Sequence, residues 1–241
     1  MTESQSAPPK TRERLIVALD LPSAAQALEL VDRLGESVSF YKMGLQLFMA
    51  GGYFELIDEL RGRGKKVFAD LKFFDVPATV SSAVEQLVDR GVDFTTVHGN
   101  DAILEAAGRV PRGELKILAV TVLTSLDRGD LDDLGFDCDV GELVLSRARR
   151  AVEKGCDGVV ASGQEAQRLR QALGRRLLIV TPGIRPVENR PVDDQKRVVT
   201  VEDAFRFGAD HIVVGRPIRS APDPRAAAEA IQRQIAAVVG N

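Results

Sequence analysis

Eight short runs rich in apolar and β-branched residues recur along the chain, and each is followed by a longer stretch patterned as a helix. The runs lie at 14–20, 38–43, 66–72, 93–98, 115–121, 158–161, 177–181 and 211–214. Helical patterns fill 23–34, 52–63, 77–90, 101–109, 141–154, 164–173, 201–207 and 224–239. Ser23 stands where a helix N-cap is wanted, and Pro77 where a first helical turn accepts proline. Strands separated by helices imply βαβ units and a parallel sheet, and eight such units in 241 residues predict an α/β fold, a single (β/α)8 TIM barrel. The competing arrangement, a doubly wound open sheet, normally carries a glycine-rich dinucleotide turn after its first strand. Here Asp20 is followed by Leu21, Pro22 and Ser23.

Residues 1–12 are mostly polar, contain two prolines and read as a flexible tail; 13–241 read as one domain. The tail lacks the apolar stretch of a secretory signal, and no run is long and apolar enough to predict a spanning helix. Lys and Arg number 32 against 35 Asp and Glu, without a basic block, so neither a nucleic-acid partner nor an anionic membrane surface is expected. Cys138 and Cys156 form no Cys-x-x-Cys pair and have no histidine close by in sequence, which points away from a disulfide framework and a metal site. A reducing, cytoplasmic location is expected.

In a barrel the chemistry gathers at the C-terminal ends of the strands. Those ends offer Asp20, Lys42, Asp70 with Lys72, His98, and Thr121 with Thr124; Gly183 and Arg185 follow the seventh run, Gly215 and Arg216 the eighth. Along a strand side chains alternate between faces, so Asp70 and Lys72 are predicted to point into one pocket. Taken alone, an Asp-x-Lys pair is equally an ordinary surface salt bridge. With Asp20 and Lys42 it places two carboxylates and two ammonium groups together. Neighbouring carboxylates favour the charged lysine, whereas an imine-forming lysine needs a neutral amine, so Lys72 reads as a proton donor. Crowded carboxylates would also disfavour a substrate carboxylate and favour its departure as carbon dioxide.

The glycines and arginines after runs seven and eight suggest a phosphate site, since backbone N–H groups and a helix start gather at that corner and Arg216 adds a bidentate fork. A tight turn with a solvated arginine is the plainer reading of the same residues. Segments 125–140 and 183–200 are long enough to act as lids. His211 opens a buried strand and reads as structural; His98, without partner spacing, is not assigned to the chemistry. Too few carboxylates or histidines remain for a catalytic divalent metal, so no metal is expected.

Asp70-Leu71-Lys72-Phe73-Phe74-Asp75-Val76-Pro77, with Val17-Ala18-Leu19-Asp20, Lys42-Met43-Gly44, Leu123-Thr124-Ser125, Pro182-Gly183-Ile184-Arg185, Asp194-Gln195 and Val214-Gly215-Arg216-Pro217-Ile218, resembles the orotidine 5′-phosphate decarboxylase family. The resemblance implies a cofactor-free homodimer that converts orotidine monophosphate to uridine monophosphate in pyrimidine synthesis. It implies that Lys72 protonates the pyrimidine C6 carbanion beside Asp70, and that Asp75 enters from the partner subunit with Thr79 nearby. It further implies that Asp20 and Lys42 hold the ribose hydroxyls, that Thr124 meets the pyrimidine, and that Arg185, Gln195, Gly215 and Arg216 bind phosphate. The chain departs from the family pattern at 186–191, which has no glycine, at Val201 where a proline is expected, and after His98, where a later glycine is missing.

Two rivals share parts of the pattern. A metal-dependent sugar-phosphate decarboxylase or aldolase would carry Asp-x-Lys-x-x-Asp without needing Leu123-Thr124-Ser125 or Asp194-Gln195. A non-catalytic phosphate-binding barrel would have no use for the Asp–Lys alternation.

Overall fold

The structure, a computed structural model, describes residues 10–184 and 198–240. Its elements are β1 (Leu15–Ala18), α1 (Ala24–Leu34), β2 (Phe40–Gly44), α2 (Leu45–Ala50), α3 (Tyr53–Gly62), β3 (Lys66–Phe73), α4 (Pro77–Asp89), β4 (Phe94–Val97) and α5 (Asp101–Gly108). They continue with β5 (Lys116–Val120), α6 (Arg128–Asp133), α7 (Val140–Glu153), β6 (Gly158–Val160), α8 (Gly163–Leu173), β7 (Leu178–Thr181), α9 (Val201–Arg206), β8 (His211–Val214), α10 (Arg216–Arg219) and α11 (Pro224–Val239). The eight strands pair in chain order, all parallel, and β1 closes on β8 with Val17 opposite Val214. The expected (β/α)8 barrel is the fold. None of the described helices is long and apolar enough to cross a membrane.

Each run becomes a strand because its alternate residues meet two different apolar environments. Leu15, Val17, Tyr41, Val67, Ala69 and Ile212 face the helices and join the large outer core. Ile16, Ala18, Phe40, Phe68, Phe94, Leu118, Val180 and Val213 point inward and fill the barrel. The inner layer is aromatic on one side: Phe94 meets Phe40 edge-on at 4.9 Å and Phe68 at 5.9 Å between ring centroids. His211 packs against Phe40 and Phe94 and places Nδ1 2.9 Å from the Glu13 carbonyl oxygen. Burial pushes its pKa down to about 4, so it is neutral and structural at neutral pH, as its place in the sequence suggested.

Ser23 caps α1 by accepting from the Gln26 N–H, and Pro77 occupies the first turn of α4, as the sequence predicts. Three helices lie outside the sequence expectation. The run Leu45–Ala50 forms α2 between two glycine-bounded segments; only Leu47 is buried, while Leu45 and Met49 are 62% and 75% exposed, so no amphipathic stripe announces it. Within 125–140, read as a long loop, α6 is started by a reciprocal capping box between Asp127 and Asp130. The single turn α10 starts at Arg216, just past the glycine that ends β8.

One strand also departs from simple alternation. Between the pairs Ala69–Thr95 and Phe73–Val97, β3 spends four residues where β4 spends two. Lys72 absorbs the excess with φ at 49°, the left-handed region, at a cost of about 1–2 kcal/mol for a residue with a Cβ.

Candidate active site

The inner aromatic layer decides where polar side chains can go. Lys42, Asp70 and Thr96 each stand two residues beyond an inward ring, Phe40, Phe68 and Phe94 respectively, so the period of two turns them into the same space one layer higher. With the barrel filled below them, a cavity of about 320 Å³ opens at the C-terminal ends of the strands. Asp20, Lys42, Asp70 and Lys72 line one wall. Leu123, Thr124 and Ser125 after β5, Pro182 and Gly183 after β7, and Gly215, Arg216 and Arg219 after β8 line the rest.

The four charged residues form an alternating chain. Lys42 Nζ lies 3.0 Å from Asp20 Oδ1 and 3.4 Å from Asp70 Oδ2. Lys72 Nζ lies 2.9 Å from Asp70 Oδ1. The two ammonium groups are not equivalent: the Lys42 side chain is 12% exposed and wedged between carboxylates, whereas that of Lys72 is 39% exposed at the open end. Gly44 leaves room for this packing, because a Cβ there would come within 3.1 Å of Lys42 Nζ and 3.3 Å of Asp20 Oδ1.

Burial alone would push the Asp70 carboxyl up, yet Lys42 and Lys72 beside it, with hydrogen bonds from Lys72 and Thr96, hold it below the usual carboxylate range. Burial likewise disfavours the Lys42 ammonium, but Asp70 and Asp20 outweigh it and keep its pKa above the usual lysine value. Both groups are therefore charged at neutral pH. The shared pocket expected for Asp70 and Lys72 exists, although the route to it is the break in β3 and not an unbroken strand.

The other expected residues fall into three groups. Thr124, Gly215 and Arg216 line the same cavity. Asp75 and Thr79 do not line it: both are exposed, and Asp75 Oδ1 accepts from the Val76 N–H at 2.6 Å. Arg185 and Gln195 lie outside the described residues, as does the atypical segment 186–191. His98 is half-buried with its ring edge-on to Phe74 at 5.5 Å, away from the cavity wall, and burial with nearby Arg147 and Lys72 lowers its pKa. Among the described residues no group of three or more His, Cys, Asp or Glu side chains is gathered as metal ligands would be.

Two polar residues at the site were not singled out from the sequence. Arg219 shares the cavity wall with Arg216, one turn along α10. Thr96 is fully buried under Asp70 and hydrogen bonds to it. The alternation Phe94-x-Thr96 carries the signal for Thr96, the same one that marks Phe40-x-Lys42 and Phe68-x-Asp70.

The profile of the Orotidine 5′-phosphate decarboxylase / HUMPS family matches residues 13–231. A curated orotidine 5′-phosphate decarboxylase of Methylococcus capsulatus is 68% identical over 223 residues, 92% of each chain. One of Stenotrophomonas maltophilia is 53% identical over 96% of each. Among solved structures, orotidine 5′-phosphate decarboxylase from Lactobacillus acidophilus superposes with a TM-score of 0.81 at 36% identity, covering 92% of this chain and 99% of that one.

Removing Lys42 should expose how far the carboxylates depend on it. Lys42→Met is expected to destabilise the fold by about 3 kcal/mol at neutral pH, the low end for orphaning a buried charge, because Lys72 remains on Asp70. The depressed Asp70 pKa stabilises the native protein above the usual carboxylate range, and that contribution disappears as pH falls through the depressed value. The gap between native and variant should therefore narrow on acidification. Urea unfolding at neutral pH and below the usual carboxylate range, at about pH 3 or lower, measures it, and an equal gap at both would refute the electrostatic origin.

Proposed function

The chain belongs to the orotidine 5′-phosphate decarboxylase / HUMPS family and is a carboxy-lyase acting on orotidine 5′-phosphate in pyrimidine biosynthesis; from that premise we propose that Lys72 supplies the proton that replaces the departing carboxylate and that no cofactor takes part. The observation that carries the reading is the alternating Asp20, Lys42, Asp70, Lys72 chain along one wall of the cavity. Asp70, held ionised by its neighbours, stands where its charge opposes a substrate carboxylate and hardly opposes neutral carbon dioxide. As the C6–carboxylate bond breaks, its electron pair stays on C6. Lys72 Nζ then delivers a proton there and is reprotonated from water. Lys72 is the better donor of the two lysines because it reaches the open side, while Lys42 is enclosed between Asp20 and Asp70.

Lys42 and Asp20 hold the ribose hydroxyls in this reading, and Thr124 meets the pyrimidine from the β5 side. Gly215 and Arg216 take the phosphate at the β8 corner, with Arg185 and Gln195 completing the grip. Binding energy from the phosphate, remote from the reacting carbon, is then available to hold the base against the charged wall.

The enzyme works as a homodimer in the cytoplasm, each site completed by Asp75 and Thr79 of the neighbouring subunit. Support comes from the surface that carries them: Phe74 and Val76, which flank Asp75, are 68% and 63% exposed. Large apolar side chains at that exposure are suited to being covered by a second chain.

Lys72→Ala should lower turnover by about 10²–10⁴-fold, the usual contribution of a positioned proton donor, while uridine monophosphate binds nearly as before. Substrate absorbance and calorimetry of product binding read the two quantities. Near-native turnover would remove Lys72 from the chemistry.

The shared site has its own test. Lys72→Ala and Asp75→Asn proteins, each inactive alone, should regain activity when mixed, because a hybrid dimer assembles one site with both native residues. If subunit exchange is demonstrated and the mixture stays inactive, Asp75 acts within its own chain.

A further inference from the structure

Where β3 departs from its ladder with β4, the backbone must find other partners for its polar groups. Pairing resumes with the His98 N–H donating to the Phe73 carbonyl oxygen at 2.9 Å. Within the break, the Lys72 N–H donates to Thr96 Oγ1 at 2.9 Å, and the Thr96 hydroxyl donates to Asp70 Oδ1 at 2.9 Å. Because the hydroxyl oxygen already accepts from Lys72, its proton is left for the carboxylate. Thr95, on the opposite face, gives its hydroxyl to the Ala69 carbonyl oxygen at 3.1 Å and so fastens the other side of the same break.

We propose that Thr96 is a positioning residue for the decarboxylation: its single hydroxyl, bonded at once to the Lys72 amide and the Asp70 carboxylate, fixes the proton donor and the charged wall relative to each other. Lys72 is the one described non-glycine residue with a positive φ, so its backbone needs outside support to stay in that conformation. Asp70 Oδ1 receives the Lys72 ammonium and the Thr96 hydroxyl together, which leaves Oδ2 turned toward Lys42. Thr96 is fully buried and is absent from the residues that line the cavity. It therefore acts through Asp70 and Lys72 and not on substrate.

The inference rests on the roles given to Asp70 and Lys72 above, and its test separates the two. Thr96→Val keeps the side-chain shape and deletes the hydroxyl; kcat should fall about tenfold to a hundredfold, the scale of losing a hydrogen bond to a charged group, with KM and uridine monophosphate affinity changed by no more than about threefold. Thr96→Ser restores the hydroxyl and should recover most of the rate. Thr96→Ala, free of the valine methyl's packing demands, should match the valine variant's rate, and thermal melts of all three show that folded protein is being compared. Undiminished kcat in folded Thr96→Val or Thr96→Ala, a serine variant as slow as either, or parallel losses of kcat and product affinity would each overturn the inference. If Lys72→Ala stays active the donor assignment itself fails, whereas an inactive Lys72→Ala beside a fast Thr96→Val sinks the role of Thr96 alone.

Discussion

Asp70 is a carboxylate removed from water, and the site's geometry follows from how that charge is matched. Desolvating an ion costs several kcal/mol even after relaxation, so an ionised carboxylate at this depth requires close cations and hydrogen-bond donors. Lys42 stands on one oxygen, Lys72 and Thr96 on the other. Meeting that requirement fixes where both lysines are, and with them the wall against which a substrate carboxylate would be pressed. The same matching keeps Asp70 charged, which is the condition that its proposed opposition to a substrate carboxylate requires.

The parallel barrel makes such a cluster affordable in backbone terms. Asp20, Lys42 and Asp70 come from or just beyond β1, β2 and β3, which are neighbours in the closed sheet, so no long side-chain reach is needed to form the chain. Beneath them Phe40, Phe68 and Phe94 occupy the interior and exclude water from below. The charges thus rest on packed rings and border the cavity. Gly215 and Arg216, proposed above to take the phosphate, follow β8, which pairs with β1 in the closed sheet, so the proposed gripping and reacting groups sit on separate strand ends.

Much of this was legible in the sequence because the alternation of short apolar runs with helical patterns carries it. Short apolar, β-branched runs marked the strands, and alternation along the third put Asp70 and Lys72 in one pocket; helical period with cues such as Ser23 and Pro77 marked the intervening helices. The family resemblance of the motifs from Asp20 to Ile218 agrees with the full-length relatives. What escaped has identifiable causes. Helix α2 buries one side chain of its six residues, so it has no stripe to detect. The break in β3 depends on the register with β4, a relation between distant segments that local pattern does not encode.

A metal-dependent barrel chemistry would use the same Asp-x-Lys-x-x-Asp stretch for a different purpose, whereas the proposed proton donation from Lys72 calls for no metal. The decisive measurement is the conversion of orotidine 5′-phosphate by the purified protein after exhaustive treatment with a chelator. The account predicts loss of substrate absorbance at an undiminished rate, with one carbon dioxide released for each uridine 5′-phosphate formed. A rate that collapses on chelation and returns only with an added divalent cation would contradict it.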